Sequence, residues 1–256
     1  MARYRETLLR AHQPVTNIAV AGAGRMGQAI LRLASDRDDL TVTAVWVRDP
    51  AKTKFDAGNE VLLSDDLDAV LATADVLIDF SLPEATQDLL GAVTRHGKAL
   101  VSGVSGLDET QMSAIDAAAE LVPLVYDRNM SQGIAVLDAV IRNVAQSLGP
   151  EFSVAIHETH HTHKKDSPSG TALKLGEAVA AARGTETADS IEYESERRGE
   201  VPGDHSVILS SPNERLEFSH SVNTRDVFAE GALRAAAWLV TQKPGRYSMQ
   251  DVLFSD

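Results

Sequence analysis

Between Asn17 and Asp127 the chain alternates short apolar runs with stretches whose apolar positions recur at helical spacing. The runs Asn17–Ala21, Thr41–Val47, Glu60–Asp65, Asp75–Phe80, Ala99–Val104 and Leu121–Asp127 are β-branched with little polar alternation, as in strands buried on both faces. Helical patterns fall between them at Met26–Ser35, at Pro83–His96 with proline in its first turn, and at Leu107–Glu120. Strands alternating with helices predict a parallel sheet with right-handed crossovers. From about Ser131 the pattern changes. A long amphipathic helix, Ser131–Leu148, stops at Gly149-Pro150; a strand over Phe152–Glu158 and a helix over Thr171–Gly184 follow. Strand-like pieces at Ser190–Gly199, His205–Ser211 and Arg215–Val222, joined by Pro-Gly and Pro-Asn turns, read as antiparallel pairs. A last helix over Asp226–Gln242 is expected to return to the first domain. The prediction is an α/β chain: a Rossmann-like parallel-sheet nucleotide domain over residues 1–130, completed by 227–256, and a smaller mixed α/β domain over 131–226.

Composition narrows the function. The 256 residues are 43% hydrophobic, enough for sizeable cores, yet no apolar stretch approaches the roughly 18 residues of a membrane span. The N-terminal arm has Arg3, Arg5 and Arg10 but no apolar secretion signal, so a cytoplasmic location is expected. With no cysteine, thiolate metal sites and thioester or thiohemiacetal mechanisms are excluded. A formal charge of −13 argues against nucleic acid as a partner. It also requires any anion to be met by local clusters of basic residues, which singles out Arg48, Lys52, Lys54, Lys164 and Lys165.

Gly22, Gly24 and Gly27 form a GxGxxG turn directly after a strand and before a helix. The first permits the tight turn, the second lets the backbone approach a pyrophosphate, and the third allows close helix–strand packing. Arg25 and Met26 lie within this turn, and Phe80, Gly103, Ser105 and Asn129 lie in loops at the carboxyl ends of later strands, where ligands of open parallel sheets bind. With Arg225 these complete the cofactor-binding candidates. The end of the second strand selects the dinucleotide, because an acidic residue suits the ribose hydroxyls of NADH and a basic one the 2′-phosphate of NADPH. Here the strand ends at Val47 and Arg48 follows, so NADPH is favoured over NADH.

Four of the eight histidines, His157, His160, His161 and His163, fall within seven positions and precede Lys164, Lys165 and the turn Ser169-Gly170-Thr171. Histidine titrates near neutral pH, and a Ser-Gly-Thr turn opening a helix offers free backbone N–H groups to an anion. The cluster therefore reads as a proton donor beside a carboxylate-sized docking site. A metal site is disfavoured, since neighbouring His160 and His161 point to opposite sides of a strand and the lysines repel a cation. A solvated loop is the bland alternative.

These residues carry a resemblance. The segment Glu158–Glu177 is similar to the HHxxKxDxPSGTA signature of the dihydrodipicolinate reductase family, supported by VAGAGRMG, DVLIDFSLPEAT, SGVSG, NMSQG and DVFAEGALRAAAWL. The resemblance spans nearly the whole chain from Asn17. It implies NAD(P)H-dependent reduction of 4-hydroxy-tetrahydrodipicolinate, via dihydrodipicolinate, in diaminopimelate and lysine biosynthesis. It also implies a homotetramer whose second domain binds substrate and builds the oligomer interface. By the same resemblance His160 is the proton donor, Lys164 acts with it, and His161, Lys164, Gly170 and Thr171 bind the small dicarboxylate. The chain departs from the family in having one glycine fewer in its GAGRMG turn, Val47 in place of an acidic residue, a shorter Gly184–Ser195 segment and a longer N-terminal arm. Two domains around one site further suggest closure, with hinges near Asn129–Gly133 and Asn223–Asp226.

Overall fold

The computed structural model describes residues 15–54, 60–184 and 191–255; most of the N-terminal arm and residues 185–190 of the shortened segment lie outside them. The chain divides into two compact units, one of residues up to Asp127 with Ala229–Val252, the other of Arg128–Phe228 with the residues from Leu253.

In the first unit β1 (Thr16–Ala21), β2 (Leu40–Trp46), β3 (Leu62–Ser64), β4 (Val76–Asp79), β5 (Ala99–Ser102), β6 (Pro123–Tyr126) and β11 (Gly245–Tyr247) form a parallel sheet in the order β11-β6-β5-β4-β1-β2-β3. The expected parallel sheet is present. Its helices are α1 (Arg25–Ala34), α2 (Leu67–Ala72), α3 (Thr86–His96) and α4 (Glu109–Ala119). Leu77, Leu100 and Leu124 of the strands pack with Leu71, Leu89, Val93 and Ile115 of the helices, all but fully buried. That two-sided burial is why the strands read as unbroken apolar runs. The short α2, held by its Asp66 cap, and β11 were not signalled by the sequence pattern because neither is long enough to display a period. Because β1 lies between β4 and β2, strand order reverses beside it, and the loops after β1 and β4 meet at this switch point.

In the second unit β7 (Ser153–His160), β8 (Ile191–Arg197), β9 (Asp204–Ser210) and β10 (Arg215–His220) form a mixed sheet in the order β10-β9-β7-β8. Helices α5 (Gln132–Leu148) and α6 (Gly170–Ala182) cover one face, packing Ile134, Ile141, Leu175 and Val179 on Val154, Ile156, Val207 and Leu209. The β9–β10 pair is antiparallel as expected. The strand from Ile191 differs: it pairs parallel to β7 and not with β9. The cause is α6, which carries the chain over the sheet as a β7-α6-β8 crossover and returns it in the direction of β7. Helices α7 (Asp226–Leu239) and α8 (Met249–Phe254) complete the described chain. Among the described residues no helix is long and apolar enough to cross a membrane.

Candidate active site

The turn between β1 and α1 is shaped by its glycines. Gly22 has φ +99°, a conformation open chiefly to glycine, and it packs beside the backbone of Phe80 and Ser81. A Cβ on Gly27 would stand 2.1 Å from the Gly22 carbonyl oxygen, a backbone atom with little freedom to move. Gly27→Ala should therefore destabilise this unit by about 1–3 kcal/mol, seen as a lower urea midpoint; an unchanged midpoint would contradict this packing. Gly24 precedes α1 without a side-chain cap, and the first turn of the helix has no acidic residue. Its leading N–H groups and the positive end of its dipole are thus left for an anion.

Phe80 lies over Gly103, where a Cβ would fall 2.4 Å from the ring. Asp79, the residue before Phe80, is buried at the end of β4, and its carboxylate accepts from the Ser81 backbone N–H at 2.8 Å and hydroxyl at 2.6 Å. Burial raises its pKa, against these bonds. At the end of β2, Arg48 is exposed, while Asp49 pairs with Lys52 at 2.6 Å.

In the second unit, strand alternation decides which histidine turns inward. Val154, Ile156, Glu158 and His160 share the face of β7 that meets the helices, and the last two are 2% and 7% exposed. His157 and His163 are exposed and lie near Glu194 and Glu200. His160 Nδ1 meets Glu158 Oε2, and Arg197 donates to both oxygens of Glu158, at 2.9 Å each. Ser169 donates its backbone N–H to the same carboxylate at 3.2 Å, and its hydroxyl caps α6 by accepting from Ala172 N at 3.1 Å. Burial alone would raise the Glu158 carboxyl, but hydrogen bonds from Arg197, Ser195 and His160 hold it down to about 2. Burial lowers the His160 pKa, Lys164 and Arg197 act the same way, and Glu158 opposes them.

His205, 3% exposed, packs edge-on against His160 with ring centroids 5.1 Å apart, and its Nε2 lies 3.1 Å from the Ser169 hydroxyl. Burial, aided by His160, pushes its imidazole down to about 3. Lys164 Nζ lies 2.8 Å from Asp166. The buried Nδ1 of His161 has no hydrogen-bond partner among the described residues.

The structure thus brings His160, Lys164, Gly170 and Thr171 into one unit around the start of α6. Gly22, Gly24, Arg25, Met26, Gly27, Arg48, Phe80, Gly103 and Ser105 lie in the other. Asn129 and Arg225, expected at the cofactor, belong to the second unit: Asn129 Nδ2 donates to Thr171 Oγ1 at 3.0 Å, and the charge of Arg225 acts on His161. Sequence reasoning missed Glu158, Arg197 and His205, and it placed Ser169 in the helix-opening turn without its bond to Glu158. Glu158 was signalled by its spacing of two from both Ile156 and His160; Arg197 and His205 come from other strands and had no local signal.

A strand order of 3-2-1-4-5-6 with a glycine turn at its switch point defines a dinucleotide-binding fold, and the chain also holds a buried histidine–carboxylate pair. Models of the dihydrodipicolinate reductase N-terminus and C-terminus match residues 16–130 and 133–253. The chain belongs to the dihydrodipicolinate reductase family. The 4-hydroxy-tetrahydrodipicolinate reductase of Alkalilimnicola ehrlichii is 40% identical, with 93% of this chain and 98% of that protein covered. That of Halorhodospira halophila is 38% identical, with 92% and 98% covered. The dipicolinate-bound dihydrodipicolinate reductase from Paenisporosarcina sp. TG-14 shares the fold with a TM-score of 0.79 at 20% identity, covering 94% of this chain and 100% of that one. The chain is an oxidoreductase of the reduction step in diaminopimelate and lysine biosynthesis.

Proposed function

We propose that His160 donates the proton in the reduction of 4-hydroxy-tetrahydrodipicolinate, that Lys164, His161, Gly170 and Thr171 hold the dicarboxylate, and that NADPH is the preferred reductant. One observation carries the substrate site: the Asp166 carboxylate already rests on the Lys164 ammonium at 2.8 Å, and Lys164 and the Gly170 backbone N–H both favour its ionised form. Burial would raise the Asp166 carboxyl, yet these donors keep it below its usual range. An ammonium and a helix N-terminus therefore converge where a carboxylate is stable, and a carboxylate of the substrate matches the same donors.

His160 rests below its usual pKa in the free protein. A dianion placed beside it raises that value, so the imidazolium forms when substrate is present. The ring then gives up its Nε2 proton to the substrate carbon while Nδ1–H stays on Glu158. Lys164 offsets negative charge in the ring system, and Gly170 and Thr171 orient it from the start of α6. The uncapped, acid-free start of α1 fits a pyrophosphate. When bound, the nicotinamide supplies hydride to the conjugated ring of the dehydrated substrate.

Two features support NADPH: Arg48 follows the end of β2 with its side chain exposed, and Asp49, the nearby acid, is engaged by Lys52. Arg48→Ala is expected to raise the KM for NADPH about tenfold, one lost charge-assisted contact of about 1.5 kcal/mol, and to leave that for NADH unchanged. The test is a spectrophotometric assay with freshly made synthase product and each cofactor. No absorbance loss with either would refute the activity, and equal KM values in wild type and Arg48→Ala would refute the role of Arg48. A cytoplasmic homotetramer completes the proposal, supported by the family signature and tested by cell fractionation and sedimentation.

A further inference from the structure

The carboxylate of Glu158 is approached from several elements at once. Arg197, from β8, grips both oxygens; Ser169, at the cap of α6, donates its backbone N–H; and His160, two residues along the same strand, offers Nδ1. Strand register sets this up. In the β7–β8 pairing Arg197 lies beside His160 and Ser195 beside Glu158, and in the β7–β9 pairing His205 lies across from Glu158. We propose that Glu158 is a positioning residue for the proton transfer: clamped by Arg197, it holds His160 by its Nδ1–H, leaves Nε2 to exchange the proton, and ties that ring to the start of α6. This role rests on the assignment of His160 as proton donor.

The chemistry follows from the donor inventory. An ionised carboxylate only accepts, so a ring nitrogen facing it in the neutral imidazole must carry hydrogen, and the tautomer is thereby chosen. Arg197 keeps Glu158 ionised at working pH, with the carboxyl at about 2. The backbone of Gly203 packs against the Nε2 edge of the ring without a side chain in the way: a Cβ there would stand 2.9 Å from that nitrogen, and the φ of Gly203, +152°, suits glycine. His205 fixes the plane of the ring from its edge and is itself held by the Ser169 hydroxyl. Glu158 and His205 thus join His160 to one serine by two routes, and that serine opens the helix whose first residues hold the substrate.

The charged and titratable groups facing His160 are Glu158 on its own strand, Arg197 on β8, His205 on β9 and Lys164 in the following loop. They give the test two opposite signs. Turnover that depends on the imidazolium falls on the alkaline side of its pKa. Glu158→Gln removes the negative charge and leaves Arg197, so the alkaline limb of kcat should move down by about one pH unit or more, with KM changed less than kcat. Arg197→Gln should move the limb up. A limb that stays in place in both variants overturns the positioning role if His160→Gln has lost turnover. If His160→Gln keeps its turnover, the proton-donor assignment itself fails. The wild-type protein supplies an arm independent of variant folding: ¹⁵N spectra of histidine-labelled protein at pH 8 should show His160 neutral with its proton on Nδ1. A proton on Nε2 overturns the proposal.

Discussion

Replacing His160 by glutamine is expected to lower turnover about 10²–10⁴-fold, or about 3–5 kcal/mol of transition-state free energy, while the affinity for the reduced cofactor stays as it was. The two effects separate because the histidine ends β7 in the second unit, whereas the glycine turn belongs to the first. Glutamine keeps a hydrogen-bonding side chain of moderate size next to Glu158 but has no proton to give at neutral pH. Circular dichroism should show native secondary structure, with the loss in kcat and not in nucleotide titrations. Turnover within a few-fold of wild type would remove His160 from the mechanism and move the acid to another histidine of the cluster.

Loss of stability in mild acid is the second large effect. The His205 imidazole is held at about 3 in the folded chain against an ordinary 6.5, so between these values the unfolded chain takes up a proton that the folded chain refuses. Stability is therefore unaffected by this group above about pH 6.5 and falls below it, by about 1.4 kcal/mol per pH unit. Glu158 is held at about 2 against 4.5, so its contribution is complete above pH 4.5 and is lost as pH falls toward 2. The two slopes add below pH 4.5. His160, His161 and His220 are shifted in the same direction. Urea midpoints measured from pH 7.5 to 4.5 should fall steadily, and His205→Asn should flatten the decline because asparagine takes up no proton in this range, while it can still accept from the Ser169 hydroxyl. Midpoints that hold constant from pH 7 to 5 would mean that His205 is not kept neutral by its surroundings.

Much of the candidate site was legible because its signals are local. The glycines at 22, 24 and 27 act within one turn, and the 2.1 Å approach at Gly27 is the contact their spacing requires. The period of two along β7 separates His160 from His157, and the Ser169-Gly170-Thr171 turn begins a helix as its chemistry demands. Glu158 was within reach of the same alternation, since Val154 and Ile156 mark the inward face. It was passed over because a buried acid is unfavourable until its partner is known, and Arg197 lies 39 residues away.

The sequence alone determined the order of the longer strands and helices, the parallel sheet with its glycine turn, the family, and the residue types proposed for proton transfer and anion binding. All of these depend on periodicity, turn chemistry or spacing within short stretches of chain. Only the tertiary structure decided that Ile191–Arg197 runs parallel to β7, that Glu158 joins His160 to Arg197, and that His205 closes on the ring. The physical reason is that strand pairing and buried charge compensation are settled between segments distant in sequence, where a crossover helix sets the direction and register of the pairing.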